Sequence, residues 1–237
     1  MSATETARGA TDGLDVRGLR VDYGNGAGLW DFHLRVPPGT VTCVIGRNGA
    51  GKSSALLGIS GFVTPAAGTI RVNGTALTGA PYRRCRDQLS LVVKGRSLFA
   101  SLTLDENLTL AKIDHDEFYT LFPQLAPRRG VAAGSLSGGQ QQLAAVGRAL
   151  LRDVRVVLLD ELTFGLSPAI RGLIARVVRA ETTRRQLSVV VVEQHVDTAL
   201  AIADRTLVLS EGATALDLDA DELAAQQDHV ENTYLHP

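Results

Sequence analysis

Residues Gly46 to Ser53 read GRNGAGKS, a complete G-x-x-x-x-G-K-[ST] pattern, and residues of these types at this spacing can hold a chain of phosphates. A β-branched run, Val41 to Ile45, enters the turn, and Lys52, Ser53 and Ser54 open an expected helix. Gly46, Gly49 and Gly51 let the backbone wrap an anion without Cβ interference, and the first unpaired amides and positive dipole end of the helix favour negative charge. Lys52 is spaced to reach β- and γ-phosphates, and the Ser53 hydroxyl to ligate Mg²⁺. Nucleotide binding is the starting expectation.

Three further stretches carry chemistry. The continuous apolar run Val156 to Leu159 suits a buried parallel strand and delivers Asp160 and Glu161 at its carboxyl end, where ligands bind in such sheets. Adjacent acids there are costly unless a cation or substrate uses them. Asp160 suits Mg²⁺ binding through water, and Glu161 suits polarising a water that attacks the γ-phosphate. Ser137-Gly138-Gly139, before a helical pattern that runs through Leu151, is a second anion cradle. Glu193-Gln194-His195 follows the buried strand Leu187 to Val192, which puts His195 in reach of a γ-phosphate. Tyr23, some thirty residues upstream of the phosphate loop, fits either strand-end packing or stacking on a nucleobase.

The elements that must position these groups alternate between strands and helices. Strands are expected at Leu14 to Val21, Trp30 to Val36, Val41 to Ile45, Thr69 to Val72, Leu89 to Val93, Val156 to Leu159, Leu187 to Val192 and Thr206 to Leu209. Helices are expected after Lys52, from Leu104, over Asp114 to Leu125, through Leu151, over Pro168 to Thr183 and over Val196 to Ala203, with an amphipathic segment at Asp221 to Gln227. This is the alternation of an α/β parallel sheet. Lys94 to about Ser135 changes character and reads as a small helical insertion; its apolar residues, Phe99 and Leu102 among them, suit core or partner contact.

Composition narrows the function classes. The 237 residues, 45% hydrophobic, suffice for one sizeable core with a small insertion. With 24 basic against 25 acidic residues there is no global electrostatic case for nucleic acid. Cys43 and Cys85 form no CxxC, so neither a cysteine metal site nor a disulfide is expected, and Cys43 reads as a small core residue. Residues 1 to 13 are small and polar, are expected to be a disordered tail, and lack a basic-then-apolar signal pattern. No apolar run reaches the roughly 18 residues of a spanning helix.

Taken together, the phosphate loop, the stretch LSGGQ from Leu136 and the acidic strand VVLLDE from Val156 resemble, in order, the motifs of ABC transporter ATP-binding subunits, and the resemblance covers Leu14 to Leu235. GLSP at Gly165, VVEQH at Val191, ADR at Ala203 and the ending YL at Tyr234 resemble the second ATPase of the branched-chain amino-acid importer group. The resemblance implies a phosphate-loop nucleoside-triphosphatase fold: a parallel core sheet, an antiparallel β subdomain and a small helical subdomain at about 94–135, within one domain from residue 14 to 237. It also implies ATP and Mg²⁺ as cofactors, and two domains closing head to tail. Tyr23 would stack on adenine. Gly46, Arg47, Asn48, Gly49, Ala50, Gly51, Lys52, Ser53 and Ser54 would hold the phosphates, Ser53 and Asp160 the Mg²⁺, and Glu161 the attacking water. Ser137, Gly138, Gly139 and Gln140 would serve the ATP of a second cassette. Closure and reopening would drive separate permease subunits at the cytoplasmic face of the plasma membrane, with a solute-binding protein engaged indirectly.

Four positions depart from the wider family pattern. Lys94 stands where most members have Gln, and this subgroup often Glu, after the strand Leu89 to Val93. A lysine about 4 Å from Mg²⁺ is repelled by several kcal/mol at an effective dielectric near 20, phosphate oxygens attract it comparably, and the side chain can also swing into solvent. Leu162 replaces a proline and Ser167 an aspartate. Counting back from Asp204 puts Gln194, not His195, at the family's switch-histidine position. The alternative reading is a soluble ATPase of this type, or a regulatory subunit of low turnover. About 85 residues between Lys52 and Ser137 leave no room for the long coiled coil of the DNA-repair members.

Overall fold

The computed structural model describes residues 12–24, 28–95, 97–163 and 165–235. Most of the tail expected at 1–13 lies outside these, but Gly13 is pinned: its N–H donates to Asn73 Oδ1 at 2.8 Å and its carbonyl accepts from Asn73 N at 2.8 Å.

The chain begins with β1 (Leu14–Asp22), β2 (Gly28–Val36), β3 (Thr40–Gly46) and α1 (Lys52–Ser60), followed by β4 (Ala67–Val72) and β5 (Thr75–Ala76). Strands β2-β1-β4-β5 form an antiparallel sheet. Asn73 (φ 48°) and Gly74 (φ 73°) make the tight turn between β4 and β5 that their sequence predicts. The period of two in β2 is kept from Phe32 to Val36 but breaks at Trp30, which is only half-buried, because Asp31 adopts φ 47°.

Next come α2 (Pro81–Asp87), β6 (Leu89–Val92), α3 (Leu104–Leu110), α4 (His115–Leu121), α5 (Gly138–Leu151) and β7 (Val156–Asp160). The chain ends with α6 (Pro168–Arg185), β8 (Ser188–Glu193), α7 (Val196–Ile202), β9 (Arg205–Ser210), β10 (Ala213–Asp219), α8 (Ala220–Ala225) and α9 (Gln227–Val230). A second sheet has the order β10-β9-β3-β8-β7-β6, parallel except for β10. The helix expected over Asp114 to Leu125 stops at Leu121, because Pro123 cannot continue it and opens a 3₁₀ turn, Pro123–Arg128. The amphipathic segment expected to Gln227 is interrupted after Ala225.

The parallel strands read as unbroken apolar runs because both faces are covered. Val44, Val156, Leu158, Val190 and Val192 pack with β1, β2 and α1, and Cys43, Ile45, Val157, Leu159, Val189 and Val191 pack with α5, α6 and α7. Cys43 is fully buried and free, as its sequence context predicts. Among the described residues no helix is long and apolar enough to cross a membrane.

Between β6 and α5 the chain folds into a small helical arm. Thr103 and Glu106 cap α3 reciprocally, and the buried Asn107 amide donates to the carbonyls of Phe99 (3.1 Å) and Thr103 (2.9 Å). The arm rests on α5 through Phe118 and Phe122, whose ring centroids are 5.2 Å apart. A Cβ at Gly147 would lie 2.4 Å from the Phe122 ring and 2.8 Å from that of Phe118. Gly147→Leu therefore destabilises the protein by about 1 to 3 kcal/mol despite leucine's better helix propensity, as measured by urea unfolding. Across the arm's far side, Glu117 of α4 pairs with Arg184 and Arg185 of α6 at 2.5 Å each, and both arginines also hold the buried Glu181.

Candidate active site

Parallel pairing brings the chemistry together. Ile45 lies beside Glu193, Asp160 beside Val192 and Val92 beside Leu159. Because β3, β6, β7 and β8 point the same way, the residues that follow each strand emerge on one edge of the sheet. That edge carries Gly46 and the phosphate loop, Lys94, Asp160 and Glu161, and Gln194 with His195.

The phosphate loop owes its path to glycine at two positions. Gly49 (φ 85°) and Gly51 (φ 98°) lie in the left-handed region, and a Cβ at Gly51 would approach Gly28 O to 2.9 Å. The first turn of α1 has no side-chain cap and no acidic residue, so its amides are left for an anion. Lys52 is buried, and its ammonium donates to Gly46 O at 2.6 Å and Arg47 O at 2.8 Å. Burial lowers its pKa from the ordinary lysine value, and the carboxylates of Glu161, Asp160 and Glu193 pull the other way. Tyr23 is 46% exposed and donates to Ser54 Oγ at 3.3 Å, so its ring borders the loop. Arg47 and Asn48 line, with Gly46, Gln194 and His195, a cavity of about 280 Å³. Ala50 is buried, and its carbonyl accepts from Gly212 N at 3.2 Å.

The acidic pair divides by environment. Ser53 Oγ donates to Asp160 Oδ2 at 3.3 Å, while Asp160 Oδ1 is buried without a hydrogen-bond partner. Burial raises the Asp160 pKa, partly offset by the Ser53 bond. An orphaned carboxylate oxygen beside a serine hydroxyl fits a hard divalent cation such as Mg²⁺ that takes oxygen ligands and phosphate. Glu161 sits at φ 46°, a left-handed conformation costly for a non-glycine residue, and its N–H is anchored to Val192 O at 2.9 Å. Its side chain is held from two directions: Gln194 Nε2 donates to Oε1, and the Lys94 ammonium pairs with Oε2. Burial would raise the Glu161 pKa, but the Lys94 and Gln194 hydrogen bonds outweigh it and the net shift is downward. Lys94 therefore does not swing free into solvent.

Gln194, not His195, is the residue that holds Glu161; His195 precedes α7 and faces the cavity beside the loop. Ser137 and Gln140 bond to each other rather than to the groups named at this edge. Ser137 Oγ accepts from Gln140 N at 3.3 Å and Gln140 Oε1 accepts from Ser137 N at 3.0 Å, a reciprocal cap that leaves Ser137 and Gly138 exposed at the start of α5. Gly139 is half-buried, and a Cβ there would meet Ile170 only at ordinary contact distance, 3.6 Å.

Sequence reasoning passed over Glu193. Its Oε1 accepts from Thr163 N and Thr163 Oγ1, at 3.1 Å each, and Thr163 Oγ1 lies 3.3 Å from Thr198 Oγ1. The available signal was a carboxylate closing an apolar run. Burial pushes its pKa up to about 7, against the hydrogen bonds from Thr163. Between the ordinary value of 4.5 and about 7 the folded state keeps a proton that the unfolded state has lost, so stability is full below this window, falls across it and is level above. Glu193→Gln removes that loss. Relative to wild type it gains on the order of 2 to 3 kcal/mol in urea unfolding between pH 4.5 and pH 8.

Comparison with known proteins bears on the family and the fold. The model of the ABC transporter family matches residues 29–164. BraG, a high-affinity branched-chain amino acid transport ATP-binding protein of Pseudomonas aeruginosa, is 37% identical over 200 residues, covering 80% of this chain and 85% of BraG. The thiamine import ATP-binding protein ThiQ of Vibrio cholerae is 33% identical over 214 residues, 85% of this chain and 88% of ThiQ. The dimeric post-hydrolysis structure of the ATP-binding cassette MJ0796, bound to ADP and Pi, superposes with a TM-score of 0.77 at 21% identity, over 87% of this chain and 98% of that one. The expected fold, a parallel core sheet with an antiparallel β sheet and helices, is the fold observed. With its phosphate loop and acidic strand on one sheet edge and its family match spanning both, the chain belongs to the ABC transporter family, as an ATP-binding subunit that hydrolyses ATP.

Proposed function

We propose that this ATPase powers import of branched-chain amino acids or related small polar solutes through separate permease subunits, working as one half of a head-to-tail cassette dimer on the cytoplasmic face of the membrane. The convergence of Lys52, Asp160, Glu161 and Gln194 on one sheet edge carries the mechanistic part. The likeness to BraG carries the solute.

Tyr23 packs against the adenine, and the loop amides from Gly46 to Ser54 bind the phosphates. Lys52 leaves its two carbonyls for phosphate oxygens. Ser53 and Asp160 would hold Mg²⁺, which when bound would supply charge neutralisation at the phosphates. Glu161, aimed by Gln194, takes the proton of the attacking water. A complete site needs a second cassette, to whose nucleotide the exposed Ser137 and Gly138 offer amides and a hydroxyl. The MJ0796 dimer bound to ADP and Pi supports this assembly. The helical arm, about residues 94–135, docks the permease; Phe99, Leu110 and Lys112 border a groove of about 570 Å³ beside it.

The test is purification from native membranes followed by reconstitution. Co-purifying permease subunits and solute-dependent ATPase activity are expected, with leucine rather than thiamine as the stimulating solute. A soluble complex without membrane subunits overturns the importer reading, and stimulation by thiamine alone overturns the solute, since ThiQ is also similar.

A further inference from the structure

We propose that Lys94 is a resident counter-ion of Glu161 that exchanges this carboxylate for the terminal phosphate of ATP when nucleotide binds. The inference rests on the reading of Glu161 as the base. The Lys94 ammonium pairs with Oε2 of Glu161 while Gln194 occupies Oε1, so both oxygens of that carboxylate are engaged.

The two partners differ in depth. The Glu161 side chain is 11% exposed and its backbone is fixed to Val192, whereas the Lys94 side chain is 51% exposed on a flexible four-carbon stem. The ammonium is the member that moves. It leaves from a turn in which Gly95 has φ 77° and open space around its Cα, while Ser97 Oγ braces the turn on Val93 O at 3.0 Å. Glu161 follows Asp160, which Ser53 of the loop bonds at 3.3 Å, so the pair with Lys94 lies on the same sheet edge as the phosphate loop. A terminal phosphate carries more negative charge than one carboxylate and offers three oxygens, so it outcompetes Glu161 for the ammonium. Exchange frees Oε2 for water at the moment substrate arrives. A glutamine at this position cannot form the pair.

A double-mutant cycle reads the exchange without turnover. Affinities for ATP and ADP are measured in EDTA by displacement of a fluorescent nucleotide from the full chain, for wild type, Lys94→Gln, Glu161→Gln and the double variant. Lys94→Gln is expected to weaken ATP binding about ten-fold and ADP binding less than about two-fold, with Lys94→Arg retaining most of the ATP affinity. Glu161→Gln tightens ATP binding several-fold because Lys94 loses its competing partner, and this gain vanishes in the double variant. Unchanged ATP affinity in Lys94→Gln, an equal loss for ADP, or an additive cycle each overturns the exchange. Wild-type turnover in Glu161→Gln overturns instead the base on which it rests.

Discussion

Glu161→Gln lowers steady-state phosphate release by about 10²- to 10⁴-fold and does not weaken ATP binding, the separation expected when a general base is lost and the binding loop is left intact. The amide keeps the size of the carboxylate and can still accept from Gln194, so the strained backbone at φ 46° and its bond to Val192 are undisturbed. What disappears is the group able to take a proton from water. Phosphate release and equilibrium nucleotide binding, measured on the same preparation, check both halves. A variant that turns over like wild type removes Glu161 from the reaction.

Lys52→Ala acts on binding itself and weakens ATP affinity by about 100-fold or more, since each charge-assisted bond to a phosphate is worth roughly 1.5 to 3 kcal/mol. Its structural cost is separable. Removing the ammonium takes one donor from each of the Gly46 and Arg47 carbonyls, at about 1 to 3 kcal/mol, although Arg47 O keeps Ala50 N at 3.1 Å, and it relieves the burial of a charge. Thermal unfolding without nucleotide reports the structural cost, and titration with ATP the loss of binding. Lys52→Arg keeps the charge but not the compact ammonium that fits inside the loop, so it recovers little affinity.

The motifs were legible because their chemistry is local. Glycines at left-handed positions, a lysine and serine at a helix start, and a serine capping its own helix need only neighbours in the chain. The buried strands were legible too, since a strand covered on both faces must be apolar at every position. Elements that bury little were not. Helix α2 has no buried residue and gave no periodic signal, and β10 begins with three exposed residues, Ala213 to Ala215, at the sheet's edge. The helix from Asp114 is shorter than its apolar spacing predicts, because Phe122 continues that spacing while Pro123 ends the hydrogen bonding.

The order of residues alone points to nucleotide binding, to the residues of the phosphate loop, and to acids that follow a buried strand. Which partners those acids take depends on packing. Lys94, Asp160, Glu161 and Gln194 meet because β6, β7 and β8 are parallel and in register, and register is set by packing between segments far apart in the chain. From charge alone, Lys94 could be repelled by a metal, attracted by phosphate or turned into solvent. The fold set its ammonium against Glu161, because parallel pairing of β6 with β7 brings the residues that follow each strand together.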